Sequence, residues 1–197
     1  MDGNQDLRII LAITGATGAG FGAAAARRLA ANPQVAQLTL LLSPTGRRCL
    51  ADECGLRLED LLALGPKVRH LDERNLGADL SSGSALQDGM AVVPCSVGTL
   101  GRIASGVSES LVSRAADVCL KERRPLVLCV RETPLNRVHL ENMLRVRDAG
   151  AVVMPLMPSF YHHPQTLEDL FQAFATRLLD QFGLREADPR RWGGNDR

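Results

Sequence analysis

The sequence predicts one doubly wound α/β domain, a parallel sheet with helices on both faces, and three observations carry that expectation. Five short apolar runs rich in valine, leucine and isoleucine recur along the chain, each too short for a buried helix. None alternates strictly with polar residues, so each reads as a strand covered on both sides. Helical patterns fill the intervals, and strand–helix alternation of this kind gives right-handed crossovers and a parallel sheet.

The elements follow in order. The first run, Ile9 to Thr14, leads through a glycine-rich turn into an alanine-rich helix, Phe21 to Ala31, stopped by Asn32-Pro33. The second, Leu38 to Leu42, ends at Ser43-Pro44, a cap and a first helical position for a helix over Thr45 to Cys54. After Met90 to Val93 comes a helix over Glu109 to Leu120, with apolar residues at Leu111, Val112, Ala115, Val118 and Leu120. Leu126 to Val130 precedes a helix over Val138 to Arg147. Val152 to Leu156 precedes one over Leu167 to Phe182, capped by Thr166. The stretch Gly65 to Gly89 breaks this rhythm. Its Ser81-Ser82-Gly83-Ser84 is too small and polar for a core, so it reads as an excursion loop. A single domain over 1–197 is expected, with its core at 8–182 and a polar tail at 183–197 that holds the only tryptophan, Trp192.

Composition removes several function classes. A chain of 197 residues, 45% hydrophobic and 23% charged, buries a core without disulfides or metals and is not disordered. A net charge of +1 gives no global pull toward nucleic acid or anionic lipid. No apolar run approaches the ~18 residues of a membrane span, and Met1 to Arg8 is polar and acidic, unlike a signal peptide. Neither nucleic acid nor membrane is therefore expected as a partner. Five cysteines, without a C-x-x-C pair, fit a reduced, cytoplasmic setting. Of 23 basic residues only Lys67 and Lys121 are lysines, so chemistry needing an amine has two candidates.

In open α/β sheets ligands bind beyond the carboxyl ends of the strands. That rule selects five turns: Thr14 to Gly22, Ser43 to Gly46, Pro94 to Leu100, Arg131 to Pro134 and Met157 to His163. Small residues, hydroxyls, a cation, a carboxylate and a phenol suit a phosphorylated ligand. Glycines at Gly15, Gly18 and Gly20 let backbone N–H groups and a helix N-terminus approach a phosphate without a Cβ in the way. A Rossmann-like dinucleotide site is the obvious competitor, but strand two ends in Ser43 rather than an acid for an adenosine ribose. The tyrosine–lysine pair of short-chain dehydrogenases is also missing, since Tyr161 is the only tyrosine and Gln165 stands four later. A mononucleotide fits better. His70, His139, His162 and His163 lack metal-site spacing, so no metal is expected. Cys95 has no adjacent base to activate it. The run Lys121 to Arg124 reads either as cations favoured at a helix C-terminus or as a phosphate grip, whereas Arg131 and Glu132 fall on the ligand rim itself.

These segments together resemble the UbiX-type flavin prenyltransferases, formerly called phenylacrylic or aromatic acid decarboxylases, within the flavodoxin-like flavoproteins. The carriers are Thr14 to Ala19, Ser82 to Ser84, Pro94 to Leu100, Arg114 to Asp117, Lys121 to Leu128, Arg131 to Pro134 and Pro158 to His162. The resemblance implies transfer of the dimethylallyl group of dimethylallyl phosphate to N5 and C6 of reduced FMN. The product would serve as cofactor of a UbiD-type decarboxylase. It implies FMN held by Gly15, Ala16, Thr17, Ser43, Ser96, Val97, Gly98, Thr99 and Arg131. It implies prenyl phosphate held by Lys121, Tyr161 and Arg177 with Arg114 nearby, and catalytic roles for Glu53, Lys121, Glu132 and Thr17. It also implies a large homo-oligomer, a dodecamer, with sites at subunit contacts.

Breaking an allylic C–O bond leaves a phosphate whose charge lysine and arginine stabilise in a water-poor site. A carboxylate beside it can take the protons that ring closure releases. Three positions depart from the family's pattern: Thr17 for serine, Phe21 for tyrosine, and Pro44 for lysine. Two other functions share these features. A decarboxylase of the phosphopantothenoylcysteine type would need a histidine that the second helix lacks. A flavin carrier would not need Lys121, Glu132 and Arg177.

Overall fold

The computed structural model describes residues 6–188 and 191. Among them, six parallel strands form one sheet: β1 (Leu7–Ile13), β2 (Val35–Leu42), β3 (Val68–His70), β4 (Gly89–Cys95), β5 (Leu126–Val130) and β6 (Val152–Val153). Their order across the sheet is 3-2-1-4-5-6, with Ile9 of β1 registered against Leu38 of β2 and Gly89 of β4. The helices are α1 (Ala19–Ala31), α2 (Pro44–Cys54), α3 (Leu58–Leu62), α4 (Val97–Ala104), α5 (Leu111–Lys121), α6 (Arg137–Asp148) and α7 (Leu167–Asp180). Strand order reverses between β1 and β4, so the turns after those strands leave toward opposite faces and open a crevice at the sheet's carboxyl edge.

The unbroken apolarity of the strands comes from burial on both sides. Ile9, Leu11 and Ile13 pack with Ala23, Ala26 and Leu29 of α1 and Phe174 and Leu178 of α7. Ile10 and Ala12 face the other way, toward Leu100 of α4, Ala115 and Cys119 of α5, and Val146 of α6. Alanines bring α1 close to the sheet, and at Gly22 the approach is closest. A Cβ there would lie 2.4 Å from the carbonyl oxygen of Val93, so only glycine fits.

Four elements depart from the sequence expectation. The stretch read as an excursion loop contains β3, a three-residue edge strand whose Arg69 and His70 hide it from an apolar search. Val68 is its one buried residue, and Arg69 bonds Thr39 on β2 and Asp79. Helix α3 is a single short turn of chain, and α4 begins inside the third glycine-containing turn. The last strand, β6, is shorter than the run Val152 to Leu156, although Met154 and Leu156 still donate to the carbonyls of Leu128 and Val130 on β5; Pro155 is tolerated between them because its nitrogen faces the open edge.

The folded body also runs past 182. Leu184 is buried, Arg28 bonds Glu186 and Asp188, and Arg191 holds Asp180 at 2.6 and 2.9 Å. The start of the expected tail is therefore docked on α1 and α7. Trp192 lies outside the described residues. Lys67 is consumed structurally, its ammonium donating to the carbonyls of Asn32 and Val35 at 2.6 and 3.0 Å.

Candidate flavin cleft

Four of the five turns are knitted into one wall by backbone and hydroxyl bonds. The buried Thr14 hydroxyl donates to the Pro94 carbonyl at 2.8 Å and accepts from the Ser96 N–H at 2.9 Å, bridging the switch point. Ser43 N–H donates to the Ile13 carbonyl, and Arg131 N–H to the Cys95 carbonyl. A Cβ at Gly46 would stand 2.2 Å from the Ile13 oxygen, so that glycine is needed for the second turn to close on the first. Thr14 belongs to the turn singled out in the sequence, but its bridging role depended on a residue eighty positions away.

Together these turns enclose a cleft of about 580 Å³. Gly15, Ala16, Ser43, Ser96, Val97, Gly98, Thr99, Arg131 and Glu132 all line it, so nine of the predicted site residues meet. Thr14, Thr45, Glu73, Arg102, Glu109 and Ser110 complete its polar wall. Thr17 stands exposed on the first turn and is not part of the lining.

The two helix N-termini flanking the switch point differ. At α1, Gly18 adopts φ 99°, and the N–H groups of Gly18 and Ala19 donate to one carboxylate oxygen of Glu53, at 2.8 and 2.9 Å. The helix end expected to meet a phosphate is thus closed by a carboxylate from α2, as an orphan-donor terminus favours. At α4, Ser96 caps the Thr99 N–H, while the N–H groups of Val97 and Gly98 have no acceptor among the described residues. A Cβ on Gly98 would meet only Arg102, at 3.7 Å. Protein packing does not require a glycine there, and the space a side chain would fill belongs to the cleft. Donors, hydroxyls and the cations Arg102 and Arg131 form a cradle suited to a phosphate.

The second predicted phosphate grip is split. Tyr161 and Arg177 meet in a hollow of about 260 Å³ with Met157 and Ser159, and Arg177 pairs with Asp180 at 2.7 Å. A third hollow, lined by Arg131, Glu132 and Met157, lies between and shares wall residues with both. Lys121 is elsewhere. It lies at the C-terminus of α5, roughly 15 Å along the helix from the end that borders the cleft, paired with Glu122. Arg114 bonds the Ser81 carbonyl at 3.0 Å and Asp117 at 2.7 Å, and Arg124 bonds the Gly83 carbonyl at 2.7 Å. These cations hold the Ser81–Ser84 loop, so one chain does not bring Arg114 and Lys121 to Tyr161 and Arg177. Glu132 accepts from the Thr133 N–H at 2.9 Å on the cleft rim. Cys95 is fully buried and its thiol is pushed up to about 12 by that burial, which leaves it inert.

A glycine-containing α/β crevice with an open helix end and two arginines in its wall fits a mononucleotide-binding protein. In agreement, the family described as Flavoprotein matches residues 2–176. The chain belongs to the UbiX-like flavin prenyltransferases of that family. It is 45% identical over 188 residues to a probable UbiX-like flavin prenyltransferase of a Streptomyces species, covering 95% of this chain and 92% of the relative. It superposes with a TM-score of 0.83 on AnUbiX in complex with FMN and dimethylallyl pyrophosphate, at 43% identity over 95% and 98% of the two chains. With a dodecameric FMN-dependent UbiX-like decarboxylase of Escherichia coli the TM-score is 0.89, at 42% identity over 95% and 100%. A PPC decarboxylase, at 16% identity and a TM-score of 0.58 over 78% and 84%, shares the fold alone. None of the described helices is long and apolar enough to cross a membrane.

Proposed function

We propose that this chain joins the dimethylallyl group of dimethylallyl phosphate to N5 and C6 of reduced FMN, with the FMN phosphate seated on the N-terminus of α4. The observation that carries the seating is the pair of unclaimed N–H groups at Val97 and Gly98 beside a glycine whose missing side chain leaves room. Ser43, Ser96 and Thr99 add hydroxyls, Arg131 adds charge, and Gly15 and Ala16 form the opposite wall. FMN supplies the nucleophilic ring; the chain binds, orients and neutralises. The prenyl donor's phosphate is held by Tyr161 and Arg177 in the adjoining hollow, completed by Arg114 and Lys121 from a neighbouring copy in a dodecamer. That copy is invoked because neither Arg114 nor Lys121 lines the hollow of Tyr161 and Arg177. As the allylic C–O bond breaks, these cations stabilise the departing phosphate. Glu132, on the cleft rim, is the carboxylate assigned to take protons; the same role for Glu53 and Thr17 would require Glu53 to leave the Gly18 and Ala19 N–H groups that it caps. The protein works in the cytoplasm and its product serves a UbiD-type decarboxylase. Mixing the purified protein with reduced FMN and dimethylallyl phosphate without oxygen, then weighing the extracted flavin, tests the reading. A flavin heavier by one dimethylallyl unit is expected; an unshifted mass with FMN bound contradicts it.

A further inference from the structure

Three glutamates line the flavin cleft, and they are not equivalent. Glu109 faces Arg102 at 3.8 Å, and Glu132 accepts the Thr133 N–H. Glu73 accepts no hydrogen bond through its carboxylate and forms no ion pair among the described residues. Nor is its position accidental. Its backbone carbonyl accepts the N–H of Leu111, the first residue of α5, at 2.6 Å. That bond satisfies an orphan donor of the helix and fixes the segment after β3 against the cleft. A half-buried carboxylate without a donor is costly, and it is stabilised when something in the cleft supplies one.

The wall also carries three carboxylates against two arginines, Arg102 and Arg131. A site for an anionic ligand does not gain from the excess negative charge at its phosphate end. A phosphate ester is largely dianionic at neutral pH and has no proton to donate, so the ligand donors open to this carboxylate are hydroxyl and N–H groups. We propose that Glu73 is a flavin-contacting residue whose carboxylate accepts a hydrogen bond from a hydroxyl or N–H donor of the bound flavin, outside the phosphate. The inference rests on the flavin reading of the cleft. The surroundings agree with it: burial first, then the neighbouring Asp72, push the Glu73 carboxyl up. Arg102 on α4, Arg74 on the same segment and Arg47 on α2 oppose that shift, so the group sits between the charges of three elements.

The test is a fluorescence titration of the full-length protein with oxidised FMN and, separately, with riboflavin, which lacks the phosphate. Glu73→Ala is expected to weaken both ligands by the same factor, tenfold or more, as loss of a charge-assisted hydrogen bond does. Glu73→Gln keeps one carbonyl acceptor and the side chain's shape, so it recovers part of that loss and controls for folding. Unchanged or tighter FMN binding by Glu73→Ala, or a loss confined to FMN, overturns the assignment. Failure of the wild-type protein to bind FMN overturns the flavin reading and this inference together, whereas wild-type binding with an indifferent Glu73 leaves that reading intact.

Discussion

The turns after β1 and β4 are built from similar residues and end in different chemistry. Both enter a helix through small residues and glycine, and both border the switch point. At α1 the glycines serve the protein. Gly22 admits the Val93 carbonyl, Gly20 admits the ring of Phe171, and Gly18 supplies a positive φ. The exposed donors of that helix are then claimed by Glu53. At α4 the donors of Val97 and Gly98 are unclaimed, and Gly98 has no packing reason to be glycine. Glycine content alone does not define an anion site; unclaimed donors beside space a Cβ would fill do.

Substitution at matched positions separates the two turns, and the largest expected effect is at α1. Gly22→Ala forces a Cβ against a backbone oxygen that cannot move without shifting β4, and should cost about 3 kcal/mol in denaturant unfolding. A cost below the reach of that assay would show that α1 stands further from the sheet. Gly98→Ala should leave unfolding within about 0.5 kcal/mol of wild type while weakening FMN at least tenfold, about 1.4 kcal/mol. Unaltered FMN affinity would remove the cradle. Glu53→Ala uncaps α1 and should cost about 1 kcal/mol of stability with FMN affinity within twofold; a large loss of FMN binding would move the phosphate to α1.

The smallest effect lies outside both turns and serves as their control. Arg191, then burial and Arg177, act on the Asp180 carboxyl, and the net result holds it below its ordinary range. A carboxyl lowered on folding contributes stability above its unfolded pKa, and that contribution is lost as pH falls through the folded value. Arg191→Ala should therefore flatten the acid limb of the stability curve without altering flavin binding. An unchanged acid limb would mean the 2.6 Å contact contributes nothing.

Much of this comparison was legible beforehand and its decisive part was not. The β1, β2, β4 and β5 runs are visible in the sequence because both faces of the sheet are covered, and the expected caps Ser43 and Thr166 accept from the Gly46 and Asp169 N–H groups. β3 escaped because an edge strand with Arg69 and His70 has no apolar run to show. α4 escaped because its first turn consists of the same small residues that mark a loop. The closure of α1 by Glu53 joins residues 35 apart along the chain, and no local pattern encodes such a contact. Glu73 has no local signal either, because its segment reaches the cleft through long-range contacts such as the bond from Leu111. The motif marks Lys121, but the length of α5 carries it away from the end that borders the cleft.

The most direct measurement is a crystal structure of the protein with FMN bound. The FMN phosphate is expected within hydrogen-bond distance of the Val97 and Gly98 N–H groups, with the Glu53 carboxylate still on Gly18 and Ala19. A phosphate found on Gly18 and Ala19, with Glu53 displaced, would contradict it.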